Sequence, residues 1–273
     1  MPTLTIATEK IAVPTPKMIF FDIDDTLSRN GKIAPNNKAT LEALADTDIK
    51  LVISTGRSKV ILPPDITELL DAGVLDAIIC MNGQYSFDNE RIISHYPLSA
   101  AQATTIADLC NQSGLVYKFD AESQIVWSDE HEWQTTYHDK IKSCSIIDPD
   151  YCRFNTVYQC SVFFDNQDEK MQDVNFDHHA LKLVHWHSIV GDILPIDASK
   201  ARGILDVCKH FSVDARDCMA FGDGLNDLEM FDLVGFAVAM GDGKDELKAR
   251  ANLITGSIEE NGIQKVVEHF LAS

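Results

Sequence analysis

Lys17-Met-Ile-Phe-Phe-Asp-Ile-Asp-Asp-Thr-Leu27 is the stretch on which the fold turns. Met18 to Phe21 are four consecutive apolar residues, the pattern of a strand buried on both faces, as in a parallel sheet covered by helices. The strand delivers Asp22, Asp24 and Asp25, followed by Thr26. Three carboxylates within four positions repel one another, so a cation is expected among them.

Working outward, other apolar runs end in the same way. Pro35-Asn-Asn37 opens a helix through about Ala45, with Leu41 and Leu44 on one face. Ile49–Ile53 reads as a second strand and runs into Ser54-Thr-Gly-Arg57. After a short helix near Asp65–Asp71, a third strand, Ala77–Met81, ends in Asn82-Gly83. The rhythm resumes at Asp197. A helix spans Ser199 to about His210, and the strand Asp217–Phe221 ends in Gly222-Asp-Gly-Leu-Asn-Asp227. Strands Gly235–Ala239 and Asn252–Thr255 and a helix Ile258–Phe270 complete it. Alternating strands and helices predict an α/β class with a Rossmann-like parallel sheet.

Between these halves the pattern changes. Short strands are expected at Arg91–Ser94, Val116–Phe119, Gln124–Trp127, Thr156–Phe164 and Leu181–His185, with helices near Ala100–Gln112 and Glu132–Lys142. The division is therefore a core from residues 17–83 and 193–273, an inserted α+β unit over 84–192, and a loose leader over 1–16. His178-His179 and His185-Trp-His187 invite a zinc reading. Their spacing matches no closed structural site, and adjacent strand residues point to opposite faces. They are expected at the surface or where the insertion faces the core.

The chain of 273 residues carries 23 Lys+Arg against 42 Asp+Glu, a formal net charge of −19. Nucleic acid and anionic membranes require basic patches, so neither is an expected partner. Seven scattered cysteines form no CxxC pair, and Cys80 and Cys218 sit in apolar runs as small hydrophobes. No apolar run approaches the ~18 residues of a membrane helix. A cytoplasmic location is expected; monomer and dimer both stay open.

In open parallel sheets, ligands bind beyond the carboxyl ends of the strands, where the strand order reverses. Those ends carry Asp22, Asp24, Thr55, Asn82, Asp223 and Asp227. Each signal is weak alone, since Thr-Gly and Asn-Gly turns are usually structural. Together they suit phosphoryl transfer through an aspartate. A carboxylate attacks phosphorus and water hydrolyses the acyl phosphate. Asp22 closes the strand as nucleophile, and Asp24 can exchange a proton with the leaving oxygen and then with water. Mg²⁺ suits Asp22, Asp223 and a backbone carbonyl near Asp24. The hydroxyl of Thr55 and an ammonium would hold the remaining phosphate charge.

Phe21-Asp-Ile-Asp-Asp-Thr-Leu27, Ser54-Thr-Gly-Arg57 and Gly222-Asp-Gly-Leu-Asn-Asp227 resemble, in this order, three motifs of the haloacid dehalogenase superfamily. An insertion after Asn82-Gly83 is similar to the α/β cap, type C2, of its Cof-type phosphatases. The resemblance covers roughly residues 17 to 270 and implies roles residue by residue. Asp22 matches the nucleophile, Asp24 the acid/base, Thr55 the phosphate-binding hydroxyl and Lys200 the lysine. Mg²⁺ would be held by Asp22, Asp24, Asp223 and Asp227. Asp25, Gly56, Arg57, Asn82, Gly83 and Asn226 would stand on the substrate side. Two departures are visible. The family's Lys-Gly is here Lys200-Ala-Arg-Gly203, so Arg202 could share the work of Lys200. Asp25 stands where many relatives have Gly, and a turn or capping carboxylate is its alternative reading.

The resemblance implies a Mg²⁺-dependent phosphatase of small phosphorylated metabolites, sugar phosphates foremost. A phosphomutase on the same scaffold is the enzymatic rival, separable by release of orthophosphate. A phospho-accepting receiver module is the rival from another class. Such modules are about half this length, and their acceptor ends a middle strand.

Overall fold

The computed structural model describes residues 12–132, 134, 143–164, 179–187 and 189–272. The chain divides into two compact units. One holds the chain up to Gly56, Pro63–Ser94 and everything from Ser199; the other holds Arg57–Leu62 and His95–Ala198.

In the first unit, β1 (Met18–Phe21) is followed by a small hairpin, β2 (Ser28–Arg29) and β3 (Lys32–Ile33). Then come β4 (Lys50–Ser54), β5 (Ala77–Cys80), β6 (Tyr85–Phe87) and β7 (Ile92–His95), after which the chain enters the second unit. The second unit contributes β8 (Tyr117–Asp120), β9 (Ile125–Trp127), β10 (Ser145–Ile147), β11 (Gln159–Phe163), β12 (Leu181–His187) and β13 (Val190–Pro195). The chain returns for β14 (Cys218–Gly222), β15 (Phe236–Ala239) and β16 (Leu253–Ile254).

The first unit's sheet has the order β16-β15-β14-β1-β4-β5-β6-β7. From β16 to β5 all pairs are parallel, and β6 turns back antiparallel to β5. All four residues of β1 are buried, as the apolar run predicts. On one face, Met18, Phe20, Val52, Ile79 and Ala220 pack with Ile204 and Val207 of the helix Lys200–Phe211. Phe21 and Phe221 stack at 5.3 Å between centroids on the other. At about 1.5–3 kcal/mol for each large buried side chain, this layer holds the strand ends in place.

Two boundaries differ from the sequence reading. The sheet continues past Gly83, because Met81, Asn82 and Gly83 all take positive φ (51°, 51° and 87°) and reverse the chain at once. Tyr85 and Phe87 are then buried beside β5, and the first crossing falls at Ser94–His95. The second falls at Ala198–Ser199, because β13 pairs with β11 and β12. The hairpin was also unforeseen. Its turn, Asn30-Gly31 at φ 55° and 75°, has the positive angles that this dipeptide supplies in tight hairpins.

The second unit's sheet has the order β10-β9-β8-β11-β13-β12. The helix Ala100–Ser113, opened by a Ser99–Gln102 capping box, covers one face. Ile106, Tyr117, Phe119, Val126, Val162 and Ile193 form the core between them. The other face is partly polar. Lys118 and Asp120 pair at 2.8 Å while buried, Gln159 donates to Asp120, and Ser161 donates to Asp192. The helix expected over Glu132–Lys142 falls almost wholly outside the described residues, as does His178. Among the described residues no helix is long and apolar enough to cross a membrane.

Candidate active site

β1 lies between β14 and β4, with Phe21 level with Phe221 on one side and Ile53 on the other. Asp22, Asp223 and Thr55 therefore leave the sheet from neighbouring strand ends, at the point where the strand order reverses. The Asp22 amide donates to Phe221 O at 3.1 Å and extends the ladder by one step. Only 6% of Asp22 is exposed.

Beyond Asp22 the chain coils around one carbonyl. Ile23 O accepts from the amides of Leu27 (3.0 Å) and Ser28 (2.8 Å). That turn exposes Asp24 and buries Thr26, whose hydroxyl donates to Asp223 Oδ1 at 3.1 Å. Asp25, at φ 55°, sends its carboxylate to Arg29 Nε at 3.2 Å, and Arg29 also binds Asp242. Its observed partner is thus a turn-bracing arginine, in line with the turn alternative.

Lys200 is the first residue of its helix and fully buried; Ser199 caps it by accepting from Arg202 N. Its ammonium donates to Asp22 Oδ1 at 2.5 Å and Asp227 Oδ1 at 2.6 Å. Arg202 instead donates to Gln84, so the cation on these carboxylates is Lys200. Two glycines let the helix start come this close. A Cβ on Gly83 would stand 2.0 Å from Ser199 O, and one on Gly203 2.5 Å from Ile79 Cγ2. Such distances admit no side chain.

Asp227 is held at both oxygens. Oδ1 faces Lys200, and Oδ2 accepts from the amides of Asp223 (3.1 Å) and Gly224 (3.0 Å). Gly222 makes room for this fold-back, since a Cβ there would lie 2.5 Å from Asp227 Oδ2. Asn226 donates to Asn82 Oδ1 at 3.2 Å, and Asn82 Nδ2 would lie 3.3 Å from a Cβ on Gly56. Thr55, 1% exposed, is fixed through its backbone: its amide donates to Ile79 O and its carbonyl accepts from Asn82 N. Arg57 belongs to the second unit and donates to Ile61 O.

One ammonium does not balance three acids. Burial pushes the Asp22 carboxyl well up; Lys200 opposes this, while Asp227, Asp223 and Asp24 reinforce it. Burial and Asp227 raise Asp223 to about 7, against Thr26 and Lys200. Burial alone would lower Lys200, but Asp22 and Asp227 override it and raise its pKa. One oxygen from each of Asp22, Asp223 and Asp227 lies within 4.8 Å of the others. A hard oxygen donor set with surplus negative charge fits Mg²⁺. Asp24 does not place its carboxylate in that group, because the turn at Ile23 carries it outward.

Sequence reasoning missed Thr26, Arg29, Gly203 and Gly222. Thr26 was visible in the opening stretch, but its target 197 positions away was not. The glycines matter through what a Cβ would strike, which only the packed structure reveals.

A model of the haloacid dehalogenase-like hydrolases matches residues 19–267, which take in all these groups. The chain belongs to this family. A Bacillus subtilis (strain 168) protein named as a phosphatase is 31% identical to this hydrolase over 265 residues, 92% of this chain and 96% of that one. A Streptococcus pyogenes serotype M6 protein, named as a bifunctional phosphatase and peptidyl-prolyl cis-trans isomerase, is 31% identical over 255 residues. Those residues are 92% of this chain but 53% of that protein, so the chain spans about half its length. The structure of a subclass IIB sugar phosphatase matches with a TM-score of 0.82 and 28% identity, over 94% of this chain and 100% of that one. This haloacid dehalogenase-like hydrolase is an enzyme, a Cof-type phosphatase.

Proposed function

We propose that the enzyme hydrolyses small phosphorylated metabolites, sugar phosphates foremost, through a phosphoaspartate on Asp22 and with Mg²⁺. The observation that carries this is the buried Asp22 carboxylate at the end of β1, 2.5 Å from the ammonium of Lys200. Asp22 attacks phosphorus and the alcohol leaves, taking a proton from Asp24. The exposure of Asp24 suits proton exchange with the leaving group and then with water. Water, deprotonated by Asp24, attacks the same phosphorus and returns Asp22 with orthophosphate. Lys200 and Thr55 hold the phosphoryl oxygens throughout.

Asp22, Asp223 and Asp227 would hold Mg²⁺, with a backbone carbonyl at Asp24 completing the set. The ion would supply charge neutralisation between carboxylate and phosphate. Thr26 and the amides of Asp223 and Gly224 fix the acids in place for it. The net charge of −19 disfavours polyanionic partners, and a lone phosphate ester is the partner the site can accommodate. The sugar phosphatase among the matched structures supports that substrate class.

Acid quenching during turnover of a ³²P-labelled ester tests the reading. Label should remain covalently bound to the wild type and be absent from Asp22→Asn, which cannot attack. Equal labelling of both would exclude Asp22 as nucleophile.

A further inference from the structure

Thr26 Oγ1 donates to Asp223 Oδ1 at 3.1 Å, so the aim of that carboxylate depends on where Thr26 stands. Thr26 is fully buried, as are Ile23 and Leu27 in the same turn. Apolar burial anchors the turn, but it is non-directional and does not fix how the Thr26 peptide is rotated. Hydrogen bonds do that. The Thr26 amide reaches Ile23 O only at 3.4 Å, and the Thr26 carbonyl accepts from Asn37 Nδ2 at 3.3 Å. The same nitrogen donates to Leu27 O at 3.1 Å. Asn37 lies in the first turn of the helix Pro35–Ala45 and is 1% exposed. Leu41 and Leu44, both fully buried, seat that helix in the first unit, to which Thr26 and Asp223 also belong.

We infer that Asn37 is a positioning residue for Mg²⁺: its buried amide fixes the Thr26 peptide and, through the Thr26 hydroxyl, the carboxylate of Asp223. The inference rests on the reading above that Asp22, Asp223 and Asp227 hold the ion. The path runs from helix side chain to backbone carbonyl, then from hydroxyl to carboxylate, within one unit. Leu27 O also accepts from Ala34 N at 3.1 Å, so that carbonyl does not depend on the amide. The Thr26 carbonyl is where Asn37 makes the difference. Once that peptide can rotate, Asp223 loses its fixed donor and must be ordered when it takes up the cation, which lowers affinity.

The test is calorimetric titration of Mg²⁺ into the metal-stripped chain, with no ester present, beside urea unfolding of each variant. Thr26→Val should weaken Mg²⁺ binding roughly tenfold, the low end for a group that orients a metal ligand. Asn37→Ala and Asn37→Leu should each weaken it about fivefold, the worth of one hydrogen bond. Leucine fills the space of asparagine but cannot donate, so it separates the hydrogen bonds from packing. An Asn37→Leu protein that binds Mg²⁺ as tightly as the wild type would overturn the inference. Thr26→Val/Asn37→Ala should bind no more weakly than Thr26→Val alone, because Asn37 acts through Thr26. Multiplied losses would overturn it, and so would Asn37 variants that unfold at lower urea with Mg²⁺ affinity unchanged, the mark of a merely structural contact. If Asn37→Ala fails to fold, Asn37→Leu and Thr26→Val/Asn37→Leu close the same cycle. A wild type that takes up no Mg²⁺, or an Asp223→Asn protein that binds it as tightly as the wild type, overturns the ligand reading and this inference together. A wild type that binds Mg²⁺, with Asn37 variants of equal affinity, overturns this inference alone.

Discussion

Gly203→Ala sets two local rules against each other. Gly203 lies inside the helix Lys200–Phe211, where propensity alone favours alanine by about 1 kcal/mol. An added Cβ, however, would stand 2.5 Å from Ile79 Cγ2 and 3.0 Å from Gly83 Cα. Gly83 is backbone in a left-handed turn and cannot swing aside, so the helix start must move. Overpacking of this kind costs roughly 1–3 kcal/mol and outweighs the propensity gain in most of that range. The net expectation is up to about 2 kcal/mol of destabilisation. A shift of a few tenths of an ångström also lengthens the 2.5 and 2.6 Å contacts of Lys200 with Asp22 and Asp227. Since a misplacement of about 1 Å can cost on the order of 10²-fold, a shift of this size should lower the rate by up to about tenfold. Urea unfolding gives the stability change, and kcat/KM on p-nitrophenyl phosphate gives the catalytic one. A Gly203→Ala enzyme at least as stable as wild type, with unchanged kcat/KM, would refute the claim that this contact sets the lysine.

Gly31→Ala is the counterpart. With φ at 75° and nothing within 4 Å of the new Cβ, it should cost about 1 kcal/mol from backbone strain and leave kcat unchanged, read by the same two assays. Lys200→Ala should lower kcat/KM for every ester by a similar factor, on the order of 10²–10³, since it removes charge from the shared phosphoryl group. A substrate-selective loss would contradict that role. EDTA should abolish turnover and Mg²⁺ restore it, with full activity in metal-free buffer as the refuting result. Asp223 is raised to about 7 in the folded protein, above its ordinary 3.8, so the fold binds the extra proton between those values. The metal-free protein should therefore lose stability as pH rises from about 4 to 7, by at most ~4 kcal/mol from this group, and then level off. The thermal shift produced by Mg²⁺ should grow over the same window; a larger shift at pH 5 than at pH 8 would reverse the sign.

The core was legible because its signals are local. Met18–Phe21 and Pro35–Ala45 are found where four apolar residues and a Pro-led amphipathic stretch placed them. The strand ends carry the candidate site, and the backbone ladder brings Asp22 beside Phe221-Gly222-Asp223 without any long-range specification beyond register. The insertion was harder to read. β13 holds Gly191, Asp192 and Pro195 in six residues, a composition that argues against a strand. Asp192 is tolerated there because Ser161 on the paired strand donates to it at 2.7 Å. Lys118 and Asp120 likewise alternate with apolar neighbours but neutralise each other while buried. Polar residues that satisfy one another across strands cannot be recognised from one strand at a time. His185, expected at the surface or where the insertion faces the core, is exposed, with its ring 5.4 Å from Phe164.

Charge balance ties the site together. Three acids, Asp22, Asp223 and Asp227, share one buried ammonium, and the excess shows in the upward displacement of two of them. Asp227 already has both oxygens engaged, one on Lys200 and the other on two backbone amides. The excess negative charge shows on Asp22 and Asp223, whose carboxyls are pushed upward. These two leave adjacent strands; Asp22 is the nucleophile in the mechanism proposed above, and Asp223 is braced by Thr26. A divalent cation held by Asp22, Asp223 and Asp227 would cancel the surplus and lower the pKa values of Asp22 and Asp223. The carboxylate of Asp22 would then be ionised at neutral pH, the form that attacks phosphorus. The lysine alone does not suffice, because burial outweighs its effect on Asp22. In the mechanism proposed above, the cation's first task would be to keep Asp22 deprotonated, before any phosphate arrives.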